Sequence, residues 1–195
     1  MTHSLAGGLV CNDLMESRIN RLRRTMNFYI PADAAIRNTV VLTRKDATSN
    51  EWDEHDSYDK VLVDVPCTTD RLSSQDASAE LFKRNRTKDR LQLPERQMKI
   101  LYAGLRSVRP GGSVVYSTCT LSPIQNDGVV EATLNLVAKL GQMKVVVKDL
   151  SELRNDFIRA EVFYFDRSCK YGQLILPNLT NNFGPTYVCK LERIK

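Results

Sequence analysis

The chain has 195 residues, of which 42% are hydrophobic and 26% are charged, and its formal net charge is +5. This composition excludes a disordered or fibrous protein, and the length suffices for one domain with its own core. No stretch approaches the roughly 18 consecutive apolar residues of a transmembrane helix, and Asp13 and Glu16 argue against a secretory signal.

Strand and helix patterns alternate along the chain, which predicts an α/β fold with a mostly parallel sheet. Residues 9–11 form the first predicted strand, and an amphipathic helix follows between Asp13 and Pro31. A later helix is predicted to begin at Pro94, since proline suits the first helical position. Further strands are predicted at residues 40–42, 61–63, 114–116 and 145–147.

The second half of the chain carries clear helix and tail patterns. The apolar stripe of the helix from Pro94 consists of Met98, Leu101, Leu105 and Val108. The next helix is predicted to open with a capping box over residues 122–125 and to end at Gly141. In the tail, strand patterns at residues 162–165 and 186–191 predict an antiparallel hairpin at an edge of the sheet.

The number of cysteines, five, is odd, and the sequence contains no Cys-x-x-Cys pair. Both observations argue against a disulfide framework and against a zinc ribbon. We therefore predict free thiols and no metal site. Two of them, Cys67 and Cys119, directly follow predicted strands, as do the carboxylates of Asp13 and Asp64. Ligands of open α/β sheets bind at the carboxyl ends of the strands, so this edge is the candidate site. The other thiols are predicted to pack in or near strands: Cys11, Cys169 and Cys189.

Two segments carry a family resemblance: residues 61–71, with the sequence VLVDVPCTTDR, and residues 109–122, with the sequence RPGGSVVYSTCTLS. Together they resemble the paired motifs of the Sun-type RNA cytosine-5 methyltransferases, which take a methyl group from S-adenosylmethionine. Asn126 and Glu131 also match, and the tail is similar to the mitochondrial ribosomal-RNA branch. The resemblance implies a Rossmann-like methyltransferase sheet with an antiparallel C-terminal hairpin, in one domain over residues 1–195, acting on ribosomal RNA.

The resemblance also implies how the two thiols act. Carbon 5 of cytosine is a weak nucleophile until a thiolate adds to carbon 6 and makes carbon 5 enamine-like. By similarity to the family, Cys119 is the nucleophile and Cys67 serves product release. DNA cytosine methyltransferases attack from the Pro-Cys position, so the chemistry alone leaves the order of the two thiols open. A thiol oxidoreductase is disfavoured, because the pair lacks the close spacing of that class.

Four further polar residues have roles implied by the family. Asp64 would face the cytosine or the cofactor, with a loop or cap aspartate as the alternative. Asp13 would accept the ribose hydroxyls of the cofactor, or it would only cap the following helix. Arg18 would contact the cofactor, or lie on a solvated helix face. Asp46 would lie near the adenine, although Ala47 stands where the family usually has glycine.

A basic stretch follows the Pro-Cys motif and could contact RNA phosphates. The same pattern is equally typical of a solvated helix face, since no convincing set of stacking aromatic residues accompanies it. The residues proposed for RNA are Arg71, Lys83, Arg84 and Arg86.

The glycine-rich loop that approaches the cofactor in this family ends in Pro-Gly-Gly-Lys, and the sequence does not contain it. Gly7-Gly8 lies too close to Asp13 to leave room for a helix and a strand. We therefore expect a chain that begins one strand and one helix into the catalytic domain and binds S-adenosylmethionine weakly. The alternative is a catalytically impaired fragment that only binds RNA or protein.

Location and partners are implied by the resemblance alone. The family branch points to the mitochondrion, although no targeting segment is visible in the sequence. It also implies a helical-repeat protein partner similar to transcription termination factors. No membrane association is expected.

Overall fold

A computed structural model describes residues 7–68 and 87–195 except 179 and 181, with side chains in the helix from Thr87 described from Leu91 onward. The chain divides into two compact units, Met1–Trp52 and Asp53–Lys195. A single incomplete domain over residues 1–195 stays a prediction. Within the described ranges, no helix has both the length and the apolar character that a bilayer span requires.

The first unit is a short parallel β–α–β arrangement. Strand β1 (Leu9–Asn12) pairs with β2 (Val40–Thr43) in parallel, from Leu9 opposite Val40 to Asn12 opposite Thr43. Helix α1 (Glu16–Tyr29) lies between them in sequence, where the amphipathic helix is predicted, and it buries Ile19. A short 3-10 helix (Ala35–Thr39) leads into β2.

The second unit is a mixed five-stranded sheet with helices. Its strand order is β3-β4-β7-β5, with β6 paired to β7. Strands β3 and β4 are parallel, whereas β7 runs antiparallel to both β4 and β5. The strands are β3 (Tyr58–Asp64), β4 (Val108–Thr118), β5 (Val145–Lys148), β6 (Gln173–Ile175) and β7 (Thr186–Arg193), and the helices are α2 (Thr87–Ser107), α3 (Asp127–Leu140) and α4 (Ser151–Arg159).

The core of the second unit confirms the predicted helix stripe at Met98, Leu101 and Leu105, whereas Val108 lies outside the helix as the first residue of β4. Leu101 and Leu105 of α2 are fully buried against β4, whose Tyr116 is also fully buried. The α/β class is confirmed, and so is the end of α3 at Gly141, which adopts a left-handed φ of 63°. One core position of α2 is polar: Gln97 is 0% exposed.

The tail departs from the prediction of a hairpin at the sheet edge. The last strand, β7, lies inside the sheet between β4 and β5, and its hairpin partner is β6. Residues 162–165 form no strand and contribute one isolated bridge, from Phe165 to Ile175. Their apolar character serves aromatic packing instead, because Phe163 contacts Phe157 and Phe183 with ring centroids 5.1 and 4.6 Å apart.

Two helix starts also differ from prediction. Helix α2 begins at Thr87, so Pro94 lies inside it. Proline only permits a helix start; within a helix it removes one backbone donor. Helix α3 begins at Asp127, and residues 122–126 form a turn in which the Asn126 N–H donates to the Ser122 carbonyl. The predicted capping box is therefore wrong.

At Gly104, helix α2 packs so closely against β3 that there is no room for a side chain. A Cβ atom there would lie 2.6 Å from Val63 Cγ2. Alanine for glycine inside a helix ordinarily stabilises by about 0.5–1 kcal/mol, but overpacking of a core costs about 1–3 kcal/mol. We expect Gly104→Ala to lower the free energy of unfolding, measured by urea titration.

The matched control is the double variant Gly104→Ala with Val63→Ala. Removing the valine methyl that meets the new Cβ should recover part of the loss, so the two changes should be non-additive. An increase in stability for Gly104→Ala alone, or strict additivity, would contradict this packing.

Candidate active site

The parallel pairing of β3 with β4 brings the two predicted cysteine loops together. Asp64, the last residue of β3, lies opposite Ser117 of β4. Cys67 and Cys119 each follow a strand by a few residues, so both thiols lie at the same carboxyl edge of the sheet. The structure thus joins three of the predicted site residues in the second unit.

The two thiols are in direct contact. The Sγ atoms of Cys67 and Cys119 are 3.1 Å apart, and the Cys119 backbone N–H donates to Cys67 Sγ at 3.4 Å. Both residues are half-buried, and neither forms a disulfide bond. Either sulfur can donate to the other, so the geometry by itself does not distinguish a nucleophile from its partner.

The Asp64 carboxylate lies at the same edge of the sheet and is exposed. Its Oδ1 accepts a hydrogen bond from Ser117 Oγ at 3.0 Å. A carboxylate at this position can accept hydrogen bonds from the amino group of a cytosine.

Two buried glutamines hold the Cys67 loop. Gln97 Nε2 donates to the Pro66 carbonyl at 2.8 Å and to Gln125 Oε1 at 3.1 Å. Gln125 Oε1 also accepts from the Thr68 backbone N–H at 3.2 Å, and its Nε2 donates to Thr68 Oγ1 at 3.3 Å. Both neighbours of Cys67 in the chain are therefore fixed by amide groups.

The Cys119 loop is held in a similar way by the next residue of the turn. Asn126 Oδ1 accepts from Thr118 Oγ1 at 2.6 Å, and its Nδ2 donates to the Thr120 carbonyl at 3.0 Å. The two loops meet through Thr68 Oγ1 and Thr120 Oγ1, which are 2.7 Å apart.

Neither glutamine was among the residues predicted for the site. A signal for Gln97 exists in the sequence, because it falls four residues before Leu101 on the apolar face of a helix. Gln125 fits the last position of the predicted capping box, and this local pattern gives no indication that its side chain bonds Thr68 of the Cys67 loop.

The structure adds Tyr116, whose hydroxyl donates to the Gln125 carbonyl at 2.6 Å. Burial, followed by the nearby Cys67 and Cys189 thiols, raises the pKa of Tyr116 well above its usual value, so this hydroxyl stays a donor.

The first unit contains the residues predicted for the cofactor. Asp13 follows β1, and its Oδ1 accepts the Met15 backbone N–H at 2.8 Å. Its Oδ2 lies 3.1 Å from Arg18 Nε in an ion pair. The N-cap of α1 is Met15, and Asp13 bonds the N–H of this residue rather than a helical N–H, so the helix-cap alternative for Asp13 is not confirmed. Arg18 has a specific partner in Asp13. Asp46 follows β2, and its Oδ1 accepts from the Thr48 N–H at 2.8 Å and from Thr48 Oγ1 at 2.7 Å.

These contacts leave the Asp13 side chain compatible with a ribose. Among the described residues each Asp13 oxygen makes one contact, and a carboxylate oxygen accepts two hydrogen bonds. The side chain remains 27% exposed. The donor-rich hydroxyl pair of a ribose fits such a group. The residues predicted for RNA, Arg71, Lys83, Arg84 and Arg86, lie outside the described residues.

The remaining thiols behave as packing residues. Cys189 is fully buried in the core, and burial raises its pKa to about 12. Burial, followed by the charges of Asp127 and Asp166, raises the pKa of Cys169 to about 11. Burial also raises the pKa of Cys11. Thiols with raised pKa values are poor nucleophiles near neutral pH.

Comparison with known proteins places these residues in context. The model of the family described as 16S rRNA methyltransferase RsmB/F matches residues 3–183. A Mus musculus protein named 5-cytosine rRNA methyltransferase NSUN4 is 46% identical over 186 residues, which is 95% of this chain and 48% of that protein. A Danio rerio protein named mitochondrial tRNA (cytosine(34)-C(5))-methyltransferase is 36% identical, over 96% of this chain and 49% of that protein. The chain spans about half the length of the curated relatives it matches.

Two solved structures share the fold. A Pyrococcus horikoshii protein described as NSun6 with SFG has a TM-score of 0.66 at 22% identity, over 97% of this chain and 42% of that one. A methyltransferase homologue from the same organism has a TM-score of 0.55 at 20% identity, over 95% of this chain and 53% of that one. The Rossmann-like fold expected from the sequence is thereby confirmed.

The raised pKa values predict selective alkylation. Near neutral pH, iodoacetamide should modify Cys169 and Cys189 far more slowly in the folded protein than in the unfolded one. Because only the thiolate reacts, the rate at Cys169 should keep rising with pH until about 11. Pulse labelling with peptide mass spectrometry measures this. A rate that levels off near the ordinary thiol pKa of about 8.5 would contradict the effect of burial.

Proposed function

The chain belongs to the 16S rRNA methyltransferase RsmB/F family, and from that membership we propose that the protein methylates carbon 5 of a cytosine in ribosomal RNA. The methyl donor in this proposal is S-adenosylmethionine. The observation that carries it is the pair of thiols 3.1 Å apart at the carboxyl edge of the sheet, the edge at which β3 ends with Asp64. The names of the rRNA and tRNA relatives support RNA as the substrate.

In the proposed reaction, the Cys119 sulfur adds to carbon 6 of the cytosine and its electron pair forms the S–C bond. The electrons of the ring double bond then make carbon 5 nucleophilic. When bound, the cofactor supplies an electrophilic methyl group. Loss of the carbon-5 proton returns electrons to the ring, re-forms the double bond and expels the Cys119 thiolate.

Cys67 is assigned to the last step of the proposed reaction, the release of the methylated product. Its sulfur is the neighbour of the leaving sulfur, and it accepts the Cys119 N–H. Asp64 would accept hydrogen bonds from the cytosine amino group and orient the ring. The contact between Cys67 and Cys119, at the edge where β3 ends with Asp64, supports a catalytic role over the alternative of a fragment that only binds RNA or protein.

The cofactor would be held by residues of the first unit. Asp13 is the proposed acceptor of the ribose hydroxyls, with Arg18 fixing its orientation, and Asp46 is proposed for the adenine. The basic residues Arg71, Lys83, Arg84 and Arg86 are proposed to contact RNA phosphates. The names of relatives support a mitochondrial location. A helical-repeat protein partner similar to transcription termination factors remains part of the proposal through family resemblance alone.

The order of the two thiols is tested by separate alanine variants. With methyl donor and RNA present, Cys67→Ala should accumulate a denaturation-resistant protein–RNA adduct, because attack proceeds and release fails. Cys119→Ala should form none and should lose methyl transfer by at least about a thousandfold. Gel electrophoresis under denaturing conditions and tritium transfer measure both effects.

Cys169→Ala is the control for this pair of variants, since it removes a thiol outside the edge of the sheet. It should behave like the unmodified protein. An adduct in Cys119→Ala together with none in Cys67→Ala would reverse the assigned roles.

The cofactor assignment predicts a loss of affinity for Asp13→Asn. The amide keeps the shape of the carboxylate but loses its charge, so hydrogen bonds from two hydroxyls weaken. We expect the Asp13→Asn variant to bind S-adenosylmethionine about tenfold more weakly than the unmodified protein, measured by calorimetric titration. Asp33→Asn, at an exposed loop position of the same unit, is the control and should bind normally. Equal affinity in both variants would remove Asp13 from the cofactor site.

A further inference from the structure

Gln97 and Gln125 are buried side-chain amides that bond the loop carrying Cys67. They are 0% and 3% exposed, so water does not compete for their bonds. Gln97 Nε2 faces two acceptors, the Pro66 carbonyl and Gln125 Oε1, which fixes the orientation of the Gln97 amide. In this orientation Gln97 Oε1 is buried, and the residues that the structure describes offer it no hydrogen-bond donor. An unpaired buried oxygen costs about 1–3 kcal/mol, so packing alone would favour an apolar residue at this position.

What the two amides accomplish is visible at Cys67. The carbonyl before it is held by Gln97, and the N–H and hydroxyl of Thr68 after it are held by Gln125. Both glutamines come from elements other than the Cys67 loop: Gln97 from α2 and Gln125 from the turn before α3. The loop is therefore positioned from outside, by two separate parts of the core.

Asn126, the residue after Gln125, fixes the loop that carries Cys119. Asn126 bonds the Thr118 hydroxyl and the Thr120 carbonyl, which flank Cys119. Gln125 and Asn126 are consecutive, so a single peptide unit lies between the group that holds one thiol and the group that holds the other. Movement of this turn would shift both loops together and preserve the contact between the two sulfurs.

We propose that Gln125, supported by Gln97, is a positioning residue that fixes the Cys67 sulfur against the Cys119 sulfur. The catalytic consequence rests on the proposed function: loss of Gln125 impairs the release step assigned to Cys67, whereas loss of Asn126 impairs the attack assigned to Cys119. Adjacent residues of one turn thus have opposite effects on the covalent adduct.

The geometry is tested first without substrate. Diamide takes two electrons and two protons from a pair of thiols, so that the Cys67–Cys119 disulfide forms and the diazene becomes a hydrazine. The rate of closure, followed by peptide mass spectrometry, reports how often the two sulfurs meet. In Gln125→Met, which keeps the volume and removes the bonds, closure should slow by about tenfold.

Thr133→Val is the matched control. Thr133 is fully buried in α3, and among the described residues its hydroxyl bonds only the Val129 carbonyl of the same helix. It should close at the rate of the unmodified protein. Thermal unfolding of each variant checks that the fold persists. Should Gln125→Met fail to fold, Gln97→Met carries the same test, because it removes the bonds to Pro66 and Gln125. An unchanged closure rate in the folded variant would overturn the proposal.

The second readout uses RNA and the methyl donor. Gln125→Met should accumulate more protein–RNA adduct than the unmodified protein, and Asn126→Ala should form less. The two variants are compared at conditions under which both are folded, as checked by thermal unfolding. Equal losses of turnover with no change in adduct would mean a merely structural role and overturn the proposal. If the unmodified protein forms no adduct with ribosomal RNA, the proposed function fails, and the diamide rates still decide whether Gln125 positions Cys67.

Discussion

The parallel pairing of β3 with β4 is the constraint on which the candidate site depends. Parallel strands have their carboxyl ends at one edge of a sheet, and the register sets Asp64 opposite Ser117. Two loops that are distant in sequence therefore leave the sheet side by side. The contact between Cys67 and Cys119 follows from this register, because a shift by one residue would turn the strand side chains to the opposite faces.

The second requirement is that the buried polar side chains next to the two cysteine loops are hydrogen-bonded. Buried amides and hydroxyls are stable only when they are paired. Here Gln125 and Asn126 obtain their partners from the two cysteine loops. The hydrogen bonds that satisfy the core are thus the same bonds that order the loops. Displacing either loop would leave buried polar groups unpaired, so the energy of the fold favours the arrangement that brings the thiols together.

Much of this could be predicted from the sequence, and the failures have identifiable causes. Strand ends and helix stripes follow from local periodicity, which is why the edge carrying Cys67 and Cys119 was found. Gln125 was assigned to a capping box because a serine three residues earlier is a local signal, whereas its actual partners are 57 residues away at Thr68. The place of β7 between β4 and β5 is likewise non-local, since the pairing partner of a strand is decided by the assembled sheet.

The central claim is that the two thiols form one covalent site in which Cys119 attacks. The most direct test uses ribosomal RNA carrying 5-fluorocytidine, because fluorine cannot leave carbon 5 as a proton does and the adduct cannot resolve. Digestion and mass spectrometry then identify the peptide that carries the nucleotide. The account predicts that the modified residue is Cys119. Attachment at Cys67, or no attachment while methyl transfer to ordinary RNA proceeds, would contradict it.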